Sequence, residues 1–411
     1  MKVLFIFNYQ REVPPFMQTA ISFAKEYFDK ILYVTRKLTN DNTDTIRYSN
    51  VEVVQVSDRL RKAMFSLSPV RGLTNKYILS DLLKYRDISL LKSQLTTQFM
   101  SDCLYYTAKH LVLKHLKEDH DIYTLATWFS SEAVTIARLS RRFDIRKTVS
   151  FAHSFEIDPD KNRFVNRSFN AFKHYNIDEV HYISHKMKEI YYKTSHDLKI
   201  EERFDNKAFY TYLGSVKYFN QLCSPSSDGI FRIISCSGVT PVKRLHLIIE
   251  TLKNWDENTA VEWTHIGGGP LFQDIKEKSE KLMKINPKVS VKLLGWKNNK
   301  DVQKYYSENP VDLFINVSEA EGLPVSIMEA MSYGIPCIAT NVGGTSEIVN
   351  EQTGSLLAKG CTNADILRKI KDYSELSLSE KAKYRDAAFE IWKSDFDAQK
   401  TMTEFFKEFA E

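Results

Sequence analysis

Short runs of β-branched and aromatic residues alternate along most of the chain with longer stretches of helical periodicity. This is the pattern of parallel strands joined by helical crossovers and covered on both faces. Strand candidates in the first half fall at 2–7, 31–35, 51–56, 121–126, 147–152, 179–183 and 208–213. In the second half they fall at 230–236, 260–266, 288–294, 311–317 and 335–340, each followed by a helical pattern. The alternation pauses at Gly214-Ser215 and again at Ser224-Pro225-Ser226-Ser227-Asp228-Gly229, so the domain boundary is expected there. Two doubly wound α/β domains follow, an N-terminal one over 1–215 and a C-terminal one over 229–390. A C-terminal helix over 391–411 is expected to pack back toward the first, with Phe396, Phe405, Phe406 and Phe409 as its buried positions. No internal repeat of 20–50 residues is present.

Length and composition narrow the class. The chain of 411 residues exceeds the roughly 250–300 at which one core usually splits. Its 43% apolar and 27% charged residues, with 14 Gly and 11 Pro, are those of a globular chain. The formal charge of +5 is too small over this length to imply nucleic-acid binding. Five cysteines form no Cys-x-x-Cys pair and no zinc spacing, which points to reduced thiols in the cytoplasm. The apolar run Val3–Phe7 is too short for a signal-peptide core, and no run approaches the ~18 residues of a spanning helix. The expected setting is cytoplasmic, at most on the inner face of the cell membrane.

The densest chemical signal is Ser318-Glu319-Ala320-Glu321-Gly322-Leu323-Pro324-Val325-Ser326-Ile327-Met328-Glu329-Ala330-Met331, directly after the apolar run 312–317. Pro324 suits the first position of a helix, and Gly322 lets backbone approach a ligand closely. The first-turn amides of such a helix, aided by its dipole, favour an anion such as a diphosphate. Glu329 lies among Ile327, Met328, Ala330 and Met331, and a carboxylate buried there needs donors, for which vicinal sugar hydroxyls are suited. The plain alternative is a solvated helix residue and an ordinary loop acid.

With its Glu-x7-Glu pair, this stretch resembles the retaining nucleotide-sugar glycosyltransferases of family 4, of the exopolysaccharide type. Three further segments agree in order: Ser235-Cys236-Ser237-Gly238-Val239-Thr240-Pro241-Val242-Lys243-Arg244, His265-Ile266-Gly267-Gly268-Gly269-Pro270 and Asn341-Val342-Gly343-Gly344-Thr345-Ser346-Glu347-Ile348. The resemblance is strong over about 230–350 and weak before it. It implies the GT-B fold, two doubly wound Rossmann-like domains facing across a cleft, the second binding the donor and the first the acceptor. It also implies roles. Lys243 would meet the donor diphosphate, Glu321 the sugar hydroxyls and Glu329 the ribose hydroxyls. The backbone of Gly322, Leu323, Pro324 and Val325 would meet sugar and phosphate, with Gly238 and Gly268 on neighbouring donor loops. Many relatives carry an arginine where Gly238 stands, and whether Arg244 replaces its charge is open. Leu294-Gly295-Trp296-Lys297-Asn298 would cradle the nucleobase, although Trp296 serves packing equally well.

In the first half, His153 ends the strand beginning near Arg146 and matches a histidine that family members place beside the donor sugar. The loop after the first strand, Asn8-Tyr9-Gln10-Arg11-Glu12-Val13-Pro14-Pro15, lacks the glycine-rich turn usual among relatives. Asp158-Pro159-Asp160 fits an Asp-x-Asp metal pattern, but the fold needs no such site and no metal or cofactor is assigned. Segment 59–86 holds seven basic residues (Arg59, Arg61, Lys62, Arg71, Lys76, Lys84, Arg86) against Asp81, with apolar residues between them. It fits an anionic membrane surface or, equally, a solvated basic helix.

The resulting expectation is a retaining hexosyltransferase moving sugar from a nucleotide diphosphate sugar, a UDP-sugar favoured, to a glycan or lipid-linked saccharide in surface polysaccharide biosynthesis. A protein acceptor, a catalytically inactive GT-B subunit supporting a partner transferase, and a nucleotide-sugar epimerase are the rivals. Nucleic acid is not an expected partner.

Overall fold

The computed structural model describes residues 1–38, 46–158, 168–195, 207–256 and 258–411. The chain divides into two compact units, one of Met1–Leu213 with Gln399–Glu411 and one of Gly214–Ala398.

The first unit is built on seven parallel strands, β1 (Lys2–Asn8), β2 (Lys30–Thr35), β3 (Val51–Gln55), β4 (Asp121–Ala126), β5 (Lys147–Ala152), β6 (Glu179–Tyr182) and β7 (Ala208–Tyr210), in the order β3-β2-β1-β4-β5-β6-β7. β1 is central, and its continuous run Val3-Leu4-Phe5-Ile6-Phe7 is fully buried because helices cover both faces. β3, at the edge, has only half-buried and exposed positions instead. The C-terminal helix Ala398–Ala410 is seated here. Phe405, Phe406 and Phe409 pack on Phe28, Tyr123, Phe151 and His181. Lys2 Nζ and Tyr123 OH donate to the otherwise orphaned carbonyl of Ala410, at 2.8 and 3.1 Å.

The second unit holds six parallel strands, β8 (Ile230–Cys236), β9 (Ala260–Ile266), β10 (Val289–Leu293), β11 (Leu313–Asn316), β12 (Cys337–Thr340) and β13 (Gly354–Leu357), in the order β10-β9-β8-β11-β12-β13. Its core gathers Phe231, Ile248, Ile249, Trp255, Trp263, Leu313 and Ile315, with Phe231 and Trp255 stacked at 6.1 Å. Twelve of the thirteen strands among the described residues stand where the alternation predicts them. β13 escapes notice because Gly354-Ser355-Leu356-Leu357 is short and begins with glycine.

Residues 214–228 and 391–398 go with the second unit rather than with the linker and terminal helix expected from sequence. Ser215 pairs with the backbone of Phe396 and Ala398, and its Oγ accepts from Trp392 Nε1 at 2.9 Å. Cys223 donates its amide to Tyr333, and Ser224 accepts from the amide of Val311. Gln303, fully buried, binds Val216 and Tyr218. These bonds satisfy backbone that a free linker would leave to water.

Candidate functional site

Sheets of this order switch strand direction of travel between the first and fourth strands, and ligands gather beyond the carboxyl ends there. In the second unit that point lies between β8 and β11, and the loops leaving these two strands carry Lys243 and Glu321. Lys243, ending the 3-10 turn Pro241–Lys243, places Nζ 2.6 Å from Glu321 Oε1. The same carboxylate oxygen accepts from Asn316 Nδ2 at 3.1 Å. Asn316, the last residue of β11, also turns the loop by accepting from the amide of Ser318. A recess lined by Ser235, Ser237, Lys243, Asn316 and Ser318 opens beside the pair.

The loops after β8, β9 and β10 are laced to one another. Val239 donates its amide to Gly268 at 2.9 Å, and Gly267 donates to Gly295 at 2.8 Å. Gly267 has φ +149°, and a Cβ there would drive into the Ser237 carbonyl. Gly343, at φ +58°, presses in the same way on the Glu321 carbonyl, while Gly344 donates to Gly322 at 2.7 Å. The three glycine segments thus bring separate loops to one strand end. Trp296 lies 77% exposed on the β10 loop, against Gly268, so packing does not claim it, and Lys297 beside it is half-buried.

The helix after Glu321 spans Val325–Met331, with Pro324 as its N-cap, one residue earlier than expected. Leu323 and Pro324 are buried and Val325 is 40% exposed. Glu329 is buried on this helix and accepts from Asn299 Nδ2. Burial pushes its carboxyl up to about 7, and the Asn299 donor opposes that rise. Asn299 in turn accepts from Gln303 at 3.0 Å. The Cys236 thiol, raised to about 12 by burial and by the Glu329 charge, is no nucleophile at neutral pH. Arg244 adopts a left-handed conformation, φ 49°, that turns its guanidinium onto the carbonyls of Val317 and Ser318, at 2.7 and 3.3 Å. It buttresses the loop that carries Glu321.

The first unit has its own polar cluster at the corresponding point, between β1 and β4. The loop without glycine is held from two sides. Asn8 donates to Tyr33 OH at 2.6 Å and to Glu12 O at 3.1 Å, and the amide of Tyr9 donates to Glu132 Oε1 at 2.8 Å. His153 follows β5, lies between the rings of Phe16 and Trp128 (4.9 and 4.3 Å) and faces Thr127 O through Nε2 at 3.2 Å. Burial holds its imidazole down at about 4, so it is neutral at pH 7. Glu156 accepts from the His153 amide at 2.9 Å, and Lys173 donates to Phe129 O at 2.5 Å while sitting over the Phe129 ring. Burial raises the Glu156 carboxyl and lowers the Lys173 ammonium, and the charge of each opposes the other's shift. Asp158 is buried, and its Asp-x-Asp partners Pro159 and Asp160 lie outside the described residues.

Asn299, Asn316, Glu132 and Lys173 are absent from the sequence-based site. Asn316 left a signal, as a polar residue closing an apolar strand five positions before Glu321. Asn299 and Glu132 read as ordinary residues at helix starts, and Lys173 as one base in a helix.

Residues 224–390 match the family model described as Glycosyl transferases group 1. Over these residues the chain is similar to that family. The matched stretch contains both loops of the Lys243–Glu321 pair and all of the glycine segments. Curated relatives include an Escherichia coli UDP-Gal:alpha-D-GlcNAc-diphosphoundecaprenol alpha-1,3-galactosyltransferase, 38% identical over 93 residues, 22% of each chain. Another is the Erwinia amylovora amylovoran biosynthesis glycosyltransferase AmsK, 29% identical over 132 residues, 31% of this chain and 32% of that one. The chain therefore matches less than a third of the length of these two relatives. Among solved structures, Anabaena HepE in complex with UDP superposes with a TM-score of 0.66 at 16% identity, over 99% of both chains. The fold is that of the GT-B glycosyltransferases, as expected, with two parallel-sheet Rossmann-like domains.

Proposed function

We propose that the chain is a retaining glycosyltransferase that moves a hexose from a nucleoside diphosphate sugar, uridine favoured, to a glycan or lipid-linked saccharide in surface polysaccharide assembly. The observation that carries this reading is the Lys243–Glu321 pair at the strand switch point of the stretch that matches the group 1 model. The uridine preference draws support from the UDP held by the Anabaena structure, and the lipid-linked acceptor from the Escherichia coli relative's name.

On this reading Lys243 faces the diphosphate, where a fixed positive charge stabilises the anion that develops as the donor breaks. Glu321, oriented by Asn316, accepts from sugar hydroxyls, and Glu329 from the ribose. The bond from the anomeric carbon to the diphosphate oxygen breaks with its electron pair on the phosphate. The acceptor oxygen bonds to the same face of that carbon, and its proton passes to the departing phosphate. No protein nucleophile is required, and neutral His153 offers a hydrogen bond rather than a charge.

No helix among the described residues is long and apolar enough to cross a membrane. The helices Asp58–Leu73 and Lys76–Tyr85 instead expose Phe65, Leu67, Val70 and Leu83 beside exposed Arg59, Lys62, Lys84 and Arg86. This mixture suits an anionic lipid surface that carries the acceptor. Arg71 is committed inward, to buried Asp102 at 3.4 Å and Tyr106 OH at 2.6 Å, so Arg59→Glu with Lys62→Glu is the informative variant. It should lose co-sedimentation with anionic vesicles and keep donor binding; unchanged sedimentation removes the membrane from the reading.

The function itself is tested by thermal shift with uridine, guanosine and adenosine diphosphate sugars, followed by release of nucleoside diphosphate with and without acceptor. Binding without turnover would favour a silent supporting subunit. Conversion of the donor without an acceptor would favour an epimerase, and absence of binding would end the enzyme reading.

A further inference from the structure

Outside both polar clusters, the end of the long helix Ile88–Lys117 brings together three metal-ligating side chains. The helix stops in a left-handed turn at Asp119, φ 55°, with two backbone bonds: His120 N to His115 O at 3.1 Å and Asp119 N to Leu116 O at 3.2 Å. These are the paired bonds of a Schellman stop, which sets the residue after the turn against the one five positions earlier. That contact is commonly apolar. Here it is His120 against His115, with Glu118 between them.

The atoms converge closely. His115 Nδ1 and His120 Nδ1 are 3.0 Å apart, and Glu118 Oε2 is 3.5 Å from each. A tetrahedral ion with bonds of about 2.0–2.1 Å sets its ligand atoms roughly 3.3 Å from one another. An atom placed about 2.0 Å from all three therefore lies close to their plane. Three lone-pair atoms meeting this closely satisfy one another poorly, because at most one imidazole can donate across the 3.0 Å gap.

We propose that His115, Glu118 and His120 form a binding site for a divalent transition-metal ion, Zn²⁺ by preference. Two imidazole nitrogens and one carboxylate are the donor set of zinc and its neighbours, whereas Mg²⁺ and Ca²⁺ take oxygen ligands. The ion sits at the carboxyl end of a 30-residue helix, where the dipole favours positive charge. Two nearby cations do not block it. Lys30 is engaged with Glu52 at 2.8 Å, and exposed Lys114 only grazes Glu118 at 4.0 Å.

The position defines the role. His120 directly precedes β4, at the strand end opposite His153 and Glu132, and His115 packs edge-on against Phe5 of β1. The ion clips the end of the long helix to the residue that leads into β4 and takes no part in sugar transfer. This inference stands or falls independently of the proposed function.

The test uses the full, tag-free chain, stripped with chelator and desalted. Titration with Zn²⁺ should show one ion bound per chain and a rise in melting temperature, and Mg²⁺ should produce neither. Co²⁺ should give the visible bands of a low-coordinate N/O site rather than thiolate charge transfer. His120→Leu, which keeps an apolar contact across the turn, and Glu118→Gln, at a half-exposed position tolerant of change, should each weaken Zn²⁺ by at least the ~10-fold that an outer-shell change costs. Absence of stoichiometric binding, or wild-type affinity in Glu118→Gln, overturns the proposal, as does a thiolate spectrum that assigns the ion to cysteine.

Discussion

Lys243 Nζ stands 2.6 Å from Glu321 Oε1, although 78 residues separate them in the chain. The contact exists because the loops after β8 and β11 leave adjacent parallel strands at the switch point of the sheet. In the resting site each charge is the other's partner, so the pair is set in place before any donor arrives. Preorganisation of this kind is what makes a fixed charge effective in the transition state.

Lys243→Ala should lower kcat by roughly 10²–10³-fold, the range found for losing one donor to a developing anion. Glu321→Ala should act at the same site, so the double variant should be little worse than the poorer single one. A double-mutant cycle on donor turnover checks this. Additive losses would mean that the two side chains serve separate steps.

Glu329 gives a signed pH prediction. Its carboxyl is raised from 4.5 to about 7 by burial, so between these values the folded chain holds a proton that the unfolded chain has lost. Stability of the ligand-free protein should therefore fall as pH rises from 4.5 to 7, by at most about 3 kcal/mol. Glu329→Gln should remove this share of the slope and stabilise the protein at pH 8. If ribose hydroxyls donate to the ionised form, donor binding to the wild type should tighten from pH 6 to 8, and this trend should vanish in the variant. Calorimetric titration at the two pH values decides it.

The pair was legible in the sequence and much of its setting was not, for physical reasons. Strands are read from local alternation, and Glu321, Lys243 and the glycine segments from local spacing, so both survive without tertiary knowledge. Arg244 shows where local reading stops. Its charge is adjacent to Lys243 in sequence, but a left-handed backbone sends it to the carbonyls of Val317 and Ser318. Glu132 resembles a solvated first-turn acid, and the approach of the Tyr9 amide from the loop after β1 makes it a buried anchor. The His115–His120 contact depends on one left-handed residue between two imidazoles, a feature with no periodic signature.

Arg244 can be separated from Lys243 by experiment. Loss of charged hydrogen bonds to two carbonyls costs about 2 kcal/mol, so Arg244→Ala should lower the melting temperature of the second unit by several degrees without any ligand present. Lys243→Ala combined with Glu321→Gln should leave that temperature nearly unchanged, because the largely buried pair is then removed without stranding either charge. Equal melting of the two variants would contradict the buttress assignment.

His153 predicts the opposite slope from Glu329, in the other unit. Burial depresses its imidazole from 6.5 to about 4, so between these values it is the unfolded chain that holds the extra proton. The contribution of His153 is complete above pH 6.5 and is lost as pH falls toward 4. His153→Gln keeps an N–H able to reach Thr127 O and has nothing to titrate, so the first unit should become less acid-sensitive. The two slopes offset each other in a whole-chain measurement, and the single variants uncover them separately. The same burial bears on catalysis: a ring already neutral at pH 5.5 adds no limb to the pH–rate profile. A limb near pH 6.5 in the wild type that disappears in His153→Gln would show an imidazole exposed and ionising during turnover, contrary to its enclosure between Phe16 and Trp128.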